Sequence, residues 1–240
     1  MAIIAGKLDP CFILTYRSPA EELRNLVPSE LDLVTHGPWG FWSVFACRVH
    51  GFRPAFLPKF MGLNYCHVAY RIHVQSEVKS GKTMRGTFFT RSDVNSFLVS
   101  TGGKLSSDLG FHRSKIELSA RRDPVDISVR TSDGKGDLKL ELRRSAKPGL
   151  AAGSCFASEA EAESILHYQP LGLSLSKDRK NLVLMEVERT VSDAPETAYS
   201  VVDSQWSYFK SLGLTVPVFE AAREIPATDC RWLMGKTEAL

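Results

Sequence analysis

Between Tyr65 and Gln75 the chain alternates: Cys66, Val68, Tyr70, Ile72 and Val74 share one parity, while His67, Arg71, His73 and Gln75 share the other. Successive side chains of a strand point to opposite faces, so a period of two specifies a strand with one apolar and one polar face. Between Trp39 and Val49 both parities are apolar: Trp39, Phe41, Phe45 and Cys47 on one face, Trp42, Val44 and Ala46 on the other. Such a strand is covered on both sides.

The rest of the chain repeats this theme. Cys11 to Arg17, Leu31 to Thr35, Thr83 to Ser92, Arg113 to Ala120, Leu182 to Thr190, Phe219 to Ile225 and Cys230 to Leu233 read as strands. Asp126 to Thr131 and Leu138 to Arg143 form a hairpin across the Asp133-Gly134-Lys135-Gly136 turn. Helices are fewer. Ser18-Pro19-Ala20-Glu21 resembles a capping box opening a helix to about Val27. Asp93 caps a helix that Gly102-Gly103 stop, Ser158 caps one reaching His167, and Tyr199 to Leu212 has helical spacing through Val202, Trp206 and Phe209. The expected fold class is α+β, mainly antiparallel β. No repeat or long linker divides residues 1–240, so one domain is expected.

Composition narrows the function classes. Thirty Lys+Arg against 27 Asp+Glu give a net charge of +3 without the clustered basic face of a nucleic-acid binder. The longest apolar run, Trp39 to Cys47, is less than half of a membrane-spanning helix, and Met1 to Pro10 is too polar for a signal peptide. Five cysteines without framework spacing fit reduced thiols in a cytoplasm. The expectation is a cytoplasmic protein with no nucleic-acid or membrane partner; assembly into a homo-oligomer is left open.

Sequence motifs for common chemistries fail on residue type or geometry. Lys104 is followed by Leu105 where a phosphate loop needs Ser or Thr, and no strand–glycine–helix fingerprint exists for a dinucleotide. Cys47 and His50 would point to opposite faces of a strand, and His67 and His73 lie ~20 Å apart along one. Neither pair makes a metal site, no cofactor is expected, and Gly-x-Ser-x-Gly is absent.

Taken in order, Ser18-Pro19-Ala20-Glu21-Glu22-Leu23, Leu26-Val27-Pro28, Trp39-Gly40-Phe41-Trp42, Gly51-Phe52-Arg53-Pro54, His67-Val68-Ala69-Tyr70-Arg71, Gly86-Thr87-Phe88-Phe89 and the helix before Lys104 resemble the acetoacetate decarboxylase-like superfamily, in its branch of uncharacterised bacterial domains. The resemblance implies a β-barrel or cone with a few peripheral helices around an internal cavity. It further implies a lysine that forms a Schiff base with a β-keto acid. Lys104 is the match, with Lys115 as its competitor. A neutral amine attacks the ketone, and the iminium accepts the electrons released as carbon dioxide leaves. Arg71, Arg91 or Arg113 would depress the lysine pKa, and Arg71 and Arg91 would bind the substrate carboxylate. The chain departs from the family in two places: no second lysine follows Lys104, and His67 stands where the family has a glutamate, so His67 would have to move the proton near neutral pH.

Each residue has a plainer reading. Lys104 also reads as a cation at a helix C-terminus, Lys115 as a solvent-facing strand residue, and His67, Arg71 and His73 as a solvated sheet face. Three functions follow: a lyase acting on a small keto acid through Lys104, a non-catalytic protein holding a small anionic or apolar ligand, or an interaction scaffold with a filled barrel.

Overall fold

A computed structural model describes residues 2–106, 109–120, 122–145, 150–166, 170–190 and 194–240, with the side chains of 104–106 outside that description. The chain opens with β1 (Ala2–Pro19), α1 (Ala20–Arg24), β2 (Asp32–Leu33) and β3 (Thr35–His36). The long strands β4 (Trp39–Pro54), β5 (Leu63–Glu77) and β6 (Thr83–Val94) follow, then α2 (Phe97–Ser106), β7 (Phe111–Ser119), β8 (Val125–Thr131) and β9 (Leu138–Arg144). The remainder comprises α3 (Glu159–Leu166), β10 (Leu171–Leu175), β11 (Asn181–Arg189), β12 (Thr197–Trp206), α4 (Ser207–Ser211), β13 (Val218–Ile225) and β14 (Thr228–Ala239).

These strands form one mainly antiparallel sheet with parallel junctions at β6–β7 and β6–β10. Because β1 also pairs with β4, and β10 with β6, the pairings close two rings. One runs through seven strands, β1-β4-β5-β6-β10-β11-β14, and the other through nine, β1-β13-β12-β9-β8-β7-β6-β5-β4. Strands β1, β4, β5 and β6 belong to both.

The shared strands explain the alternation. Phe12, Leu14 and Tyr16 of β1, Trp42, Val44 and Ala46 of β4, and Val68, Tyr70 and Ile72 of β5 join the main core with Ile127, Leu140, Trp206 and Phe209. The opposite parity, Cys11, Ile13, Cys47, Val49 and Tyr65, belongs to a second cluster. Each fully buried apolar side chain contributes about 1.5–3 kcal/mol, so two-sided burial makes these strands the most strongly held part of the chain.

Local signals were met unevenly. Ser158 does cap α3: its Oγ accepts from the Glu161 N–H at 3.1 Å, and Glu161 reaches back to the Ala157 N–H at 2.7 Å; His167 lies outside the described residues. Ser18 does not cap α1. Its hydroxyl is used inside the core, accepting from the Trp42 indole Nε1 at 3.2 Å. Asp93 is not a cap either, because β6 continues to Val94 and α2 begins only at Phe97. Nor do Gly102 and Gly103 stop α2: a Cβ on Gly103 would sit 2.3 Å from the Phe111 ring, so glycine there lets the helix lie against β7. The expected helix from Tyr199 is instead β12 followed by the short α4.

The seven-strand ring closes where Gly172 pairs with Thr87. Gly86 makes this approach possible, since a Cβ there would lie 2.5 Å from the Leu171 carbonyl oxygen. The Gly86→Ala substitution is expected to cost about 1–3 kcal/mol through overpacking against backbone. Thermal unfolding would measure it; an unchanged Tm would mean that this junction relaxes freely.

Candidate functional site

The seven-strand ring encloses a cavity of about 950 Å³. Its wall is mostly apolar: Ile4 and Leu8 from β1, Phe45, Val49 and Phe52 from β4, Phe89 from β6, Val187 from β11 and Trp232 from β14. Helix α2 covers part of it with Leu98, Val99, Gly102 and Gly103. The wall carries three cationic side chains, Arg71, Arg189 and the exposed Lys177, and among the described residues lining it there is no Asp or Glu. Positive side chains in the wall of a low-dielectric space favour an anionic occupant.

Arg71 projects from the cavity face of β5. Its Nη2 donates to Ser43 Oγ at 2.8 Å, and its guanidinium lies over the rings of Phe45 and Phe89, 5.0 and 5.7 Å from their centres. Its Nε also donates to the Ser43 carbonyl at 3.5 Å, the aromatic faces stabilise the cation, and a guanidinium is by its planar geometry a carboxylate-binding group.

His67 lies two turns of the pleat away on the same face. It is surrounded by Phe45, Tyr65 and Phe111, the last nearly parallel at 5.8 Å between ring centres. Burial, and then the nearby Arg71 charge, push its pKa down to about 3. It is therefore neutral at physiological pH and does not titrate there as the sequence reading expected. Its Nε2 is buried without a hydrogen-bond partner among the described residues. Such an atom costs free energy until a ligand or water supplies a partner.

Cys11 also lines the cavity, its thiol pushed up to about 12 by burial, with both Arg71 and Arg189 acting against that rise. The two arginines thus share the neighbourhood of one thiol. Among the described residues no group of three His, Cys, Asp or Glu side chains is arranged to hold a metal ion.

The remaining predicted residues scatter. Arg91 does not join Arg71. The β5–β6 register shifts after Tyr70, leaving Thr90 as an extra residue on β6. Phe89 therefore faces the cavity while Arg91 turns into the nine-strand ring. There it makes a two-pronged ion pair with Asp93 at 2.7 and 2.9 Å and lies over Tyr208. His73 is buried but does not line the cavity, Lys115 is exposed on β7, and Arg113 stacks on Phe97 at the start of α2. The side chain of Lys104 lies outside the described residues; its backbone neighbours Gly102 and Gly103 line the cavity. Arg189 escaped the sequence reading although Val183, Met185, Val187 and Arg189 alternate along β11 and all line the cavity. The period was legible, but which face it served was not.

The model of the DUF2071 family, described as an uncharacterized conserved protein, matches residues 7–211. No curated protein matches the sequence. Among solved structures, acetoacetate decarboxylase from Legionella pneumophila superposes with a TM-score of 0.66 at 14% identity, over 99% of this chain and 87% of that one. The enduracididine biosynthesis enzyme MppR, complexed with the condensation product of pyruvate and imidazole 4-carboxaldehyde, gives 0.64 at 10% identity over 100% and 89%. An acetoacetate decarboxylase-like enzyme from Sphingomonas wittichii RW1 gives 0.62 at 14% identity over 100% and 94%. At these identities the likeness is one of fold. Among the described residues no helix is long and apolar enough to cross a membrane.

Proposed function

Because the chain belongs to the DUF2071 family of uncharacterized conserved proteins and has the acetoacetate decarboxylase-like fold, we propose that it binds a keto acid in the seven-strand ring and acts on it as a Schiff-base lyase. The observation that carries this reading is a cavity wall with Arg71 set in it and no Asp or Glu among its described residues. The ligand carboxylate is held by Arg71, and the ketone is presented to the helix that carries Lys104. A structure of MppR complexed with pyruvate supports a keto acid as the ligand type.

In the proposed reaction the neutral Lys104 amine adds to the ketone, water leaves, and a protonated imine forms. When the substrate is a 3-keto acid, the carbon–carbon bond to the carboxylate then breaks, carbon dioxide departs, and the electron pair moves into the imine to give an enamine. Protonation of that carbon and hydrolysis return the ketone and the free lysine. A 2-keto acid such as pyruvate forms the imine and goes no further along this route. Arg71 serves twice, since its charge favours the neutral amine as well as holding the carboxylate. The neutral His67 can only donate or accept a hydrogen bond through its ring nitrogens; it is not a reservoir of charge near pH 7.

That last point favours a second reading. With no carboxylate among the described residues lining the cavity and a histidine that stays neutral, acid–base partners for turnover are scarce. The same cavity would then hold an anionic ligand without converting it.

One experiment separates the two. Incubation with acetoacetate or pyruvate and borohydride, followed by peptide mapping, is expected to label the peptide containing Lys104 and to leave Lys104→Ala unlabelled. The absence of any adduct, with binding retained, would remove the lyase and leave the binding protein. Arg71→Met is expected to weaken keto-acid binding about 10- to 100-fold, the worth of hydrogen bonds to a charged group. Unchanged affinity by calorimetry would remove both readings.

A further inference from the structure

The geometry points to a long amphipathic ligand: a linear carboxylic or 3-keto acid of fatty-acid length rather than a short keto acid. This inference rests on the carboxylate-binding reading of Arg71 and specifies what lies behind the carboxylate.

Size is the first argument. A cavity of about 950 Å³ stands at the upper end of the range that takes whole drug-sized ligands, roughly 300–1,000 Å³. A short keto acid would leave most of it as water against an apolar wall. Shape is the second. On β5 the lining runs from Leu63 through Tyr65 and His67 to Arg71, and on β11 from Val183 to Arg189. At ~3.3 Å per residue these stretches are roughly 26 and 20 Å long. The cavity is a track along the strands.

Its chemistry is also polarised. Arg71 ends the lining along β5 and Arg189 the lining along β11, and both charges lie within electrostatic reach of the Cys11 thiol. Towards the start of β1 the lining becomes Leu8, Ile4 and Ala2, faced by Phe52 and Trp232, whose rings meet edge to face at 5.6 Å, and only the rim beyond Val183 is polar, with Ser174, Ser176 and the exposed Lys177. A cationic end joined to an aromatic and aliphatic track complements a carboxylate on a hydrocarbon chain. Each methylene buried there adds a near-constant increment of affinity.

Calorimetric titration of the whole chain with butanoate, octanoate and dodecanoate, each below its critical micelle concentration, tests this. Affinity is expected to rise about tenfold for every two methylenes until the track is filled. Dodecanol should bind at least tenfold more weakly than dodecanoate, and Arg71→Met should erase that difference. Ile4→Trp, which narrows the apolar end, should weaken dodecanoate while sparing octanoate. An affinity that does not depend on chain length, with Arg71→Met still damaging, would overturn the long-chain inference and leave the carboxylate reading intact. A chain-length gradient in which dodecanol equals dodecanoate and Arg71→Met changes nothing would overturn the carboxylate reading beneath it. Cholate binding more tightly than dodecanoate would overturn the linear shape.

Discussion

Asp93→Ala is expected to destabilise the fold by about 3–5 kcal/mol, the usual consequence of removing one partner from a buried ion pair. Asp93 is wholly buried and Arg91 is 5% exposed. The carboxylate accepts both prongs of the Arg91 guanidinium and also the Ser114 hydroxyl at 2.6 Å, tying β6 to β7 where the sheet turns parallel. Alanine would leave a buried guanidinium beside Tyr208 without its hydrogen-bonded partner, answered only through space by Asp133. Urea unfolding followed by tryptophan fluorescence measures the loss. The double variant Arg91→Met/Asp93→Leu should recover most of it, because a buried pair can be replaced by apolar residues at little cost. Should Asp93→Ala fail to accumulate, Asp93→Asn keeps two acceptor or donor positions and is expected to fold with a smaller loss. A single-site cost below about 1 kcal/mol would contradict a buried, fully engaged pair.

The second large effect is on acid stability. His67 and His73 titrate near pH 3 in the folded chain, against 6.5 for the ordinary side chain. Burial is the main cause in both, followed by Arg71, with Arg85 and Arg223 adding to it for His73. Above pH 6.5 both states are neutral and nothing is lost. As pH falls from 6.5 towards 3, only the unfolded chain takes up these protons, so stability falls by about 1.4 kcal/mol per pH unit for each histidine. Together they give about 2.7 kcal/mol per unit, measurable as urea midpoints between pH 6 and pH 4. His73→Gln should remove about half of that slope. A slope unaffected by either His67→Gln or His73→Gln would mean that both rings are protonated in the folded state.

Much of the fold was legible because it is written in a period of two. The double burial of β4, the two faces of β5, the β8–β9 hairpin and the cap of α3 all follow from residue type at fixed spacing. Two of the failures share a physical source, bulges, which shift parity at a single residue. The extra residue Thr90 turned Arg91 away from the cavity. A register shift between Val201 and Asp203 likewise broke the alternation of β12 and left Tyr199, Val202 and Trp206 at intervals that imitate a helix. The candidate site was half legible for a different reason. Arg71 and His67 lie on a strand whose pattern declares a polar face, but only the long-range closure of β10 onto β6 makes that face the inside of a cavity.

The sharing of strands between two rings has an evolutionary corollary. Along β5, changes at Tyr65, His67 or Arg71 alter what the cavity can hold, while changes at Val68, Tyr70 or Ile72 alter the filled core. Neighbouring codons therefore answer to different selective pressures, and ligand preference can drift at every second position of these strands while the positions between them hold the fold.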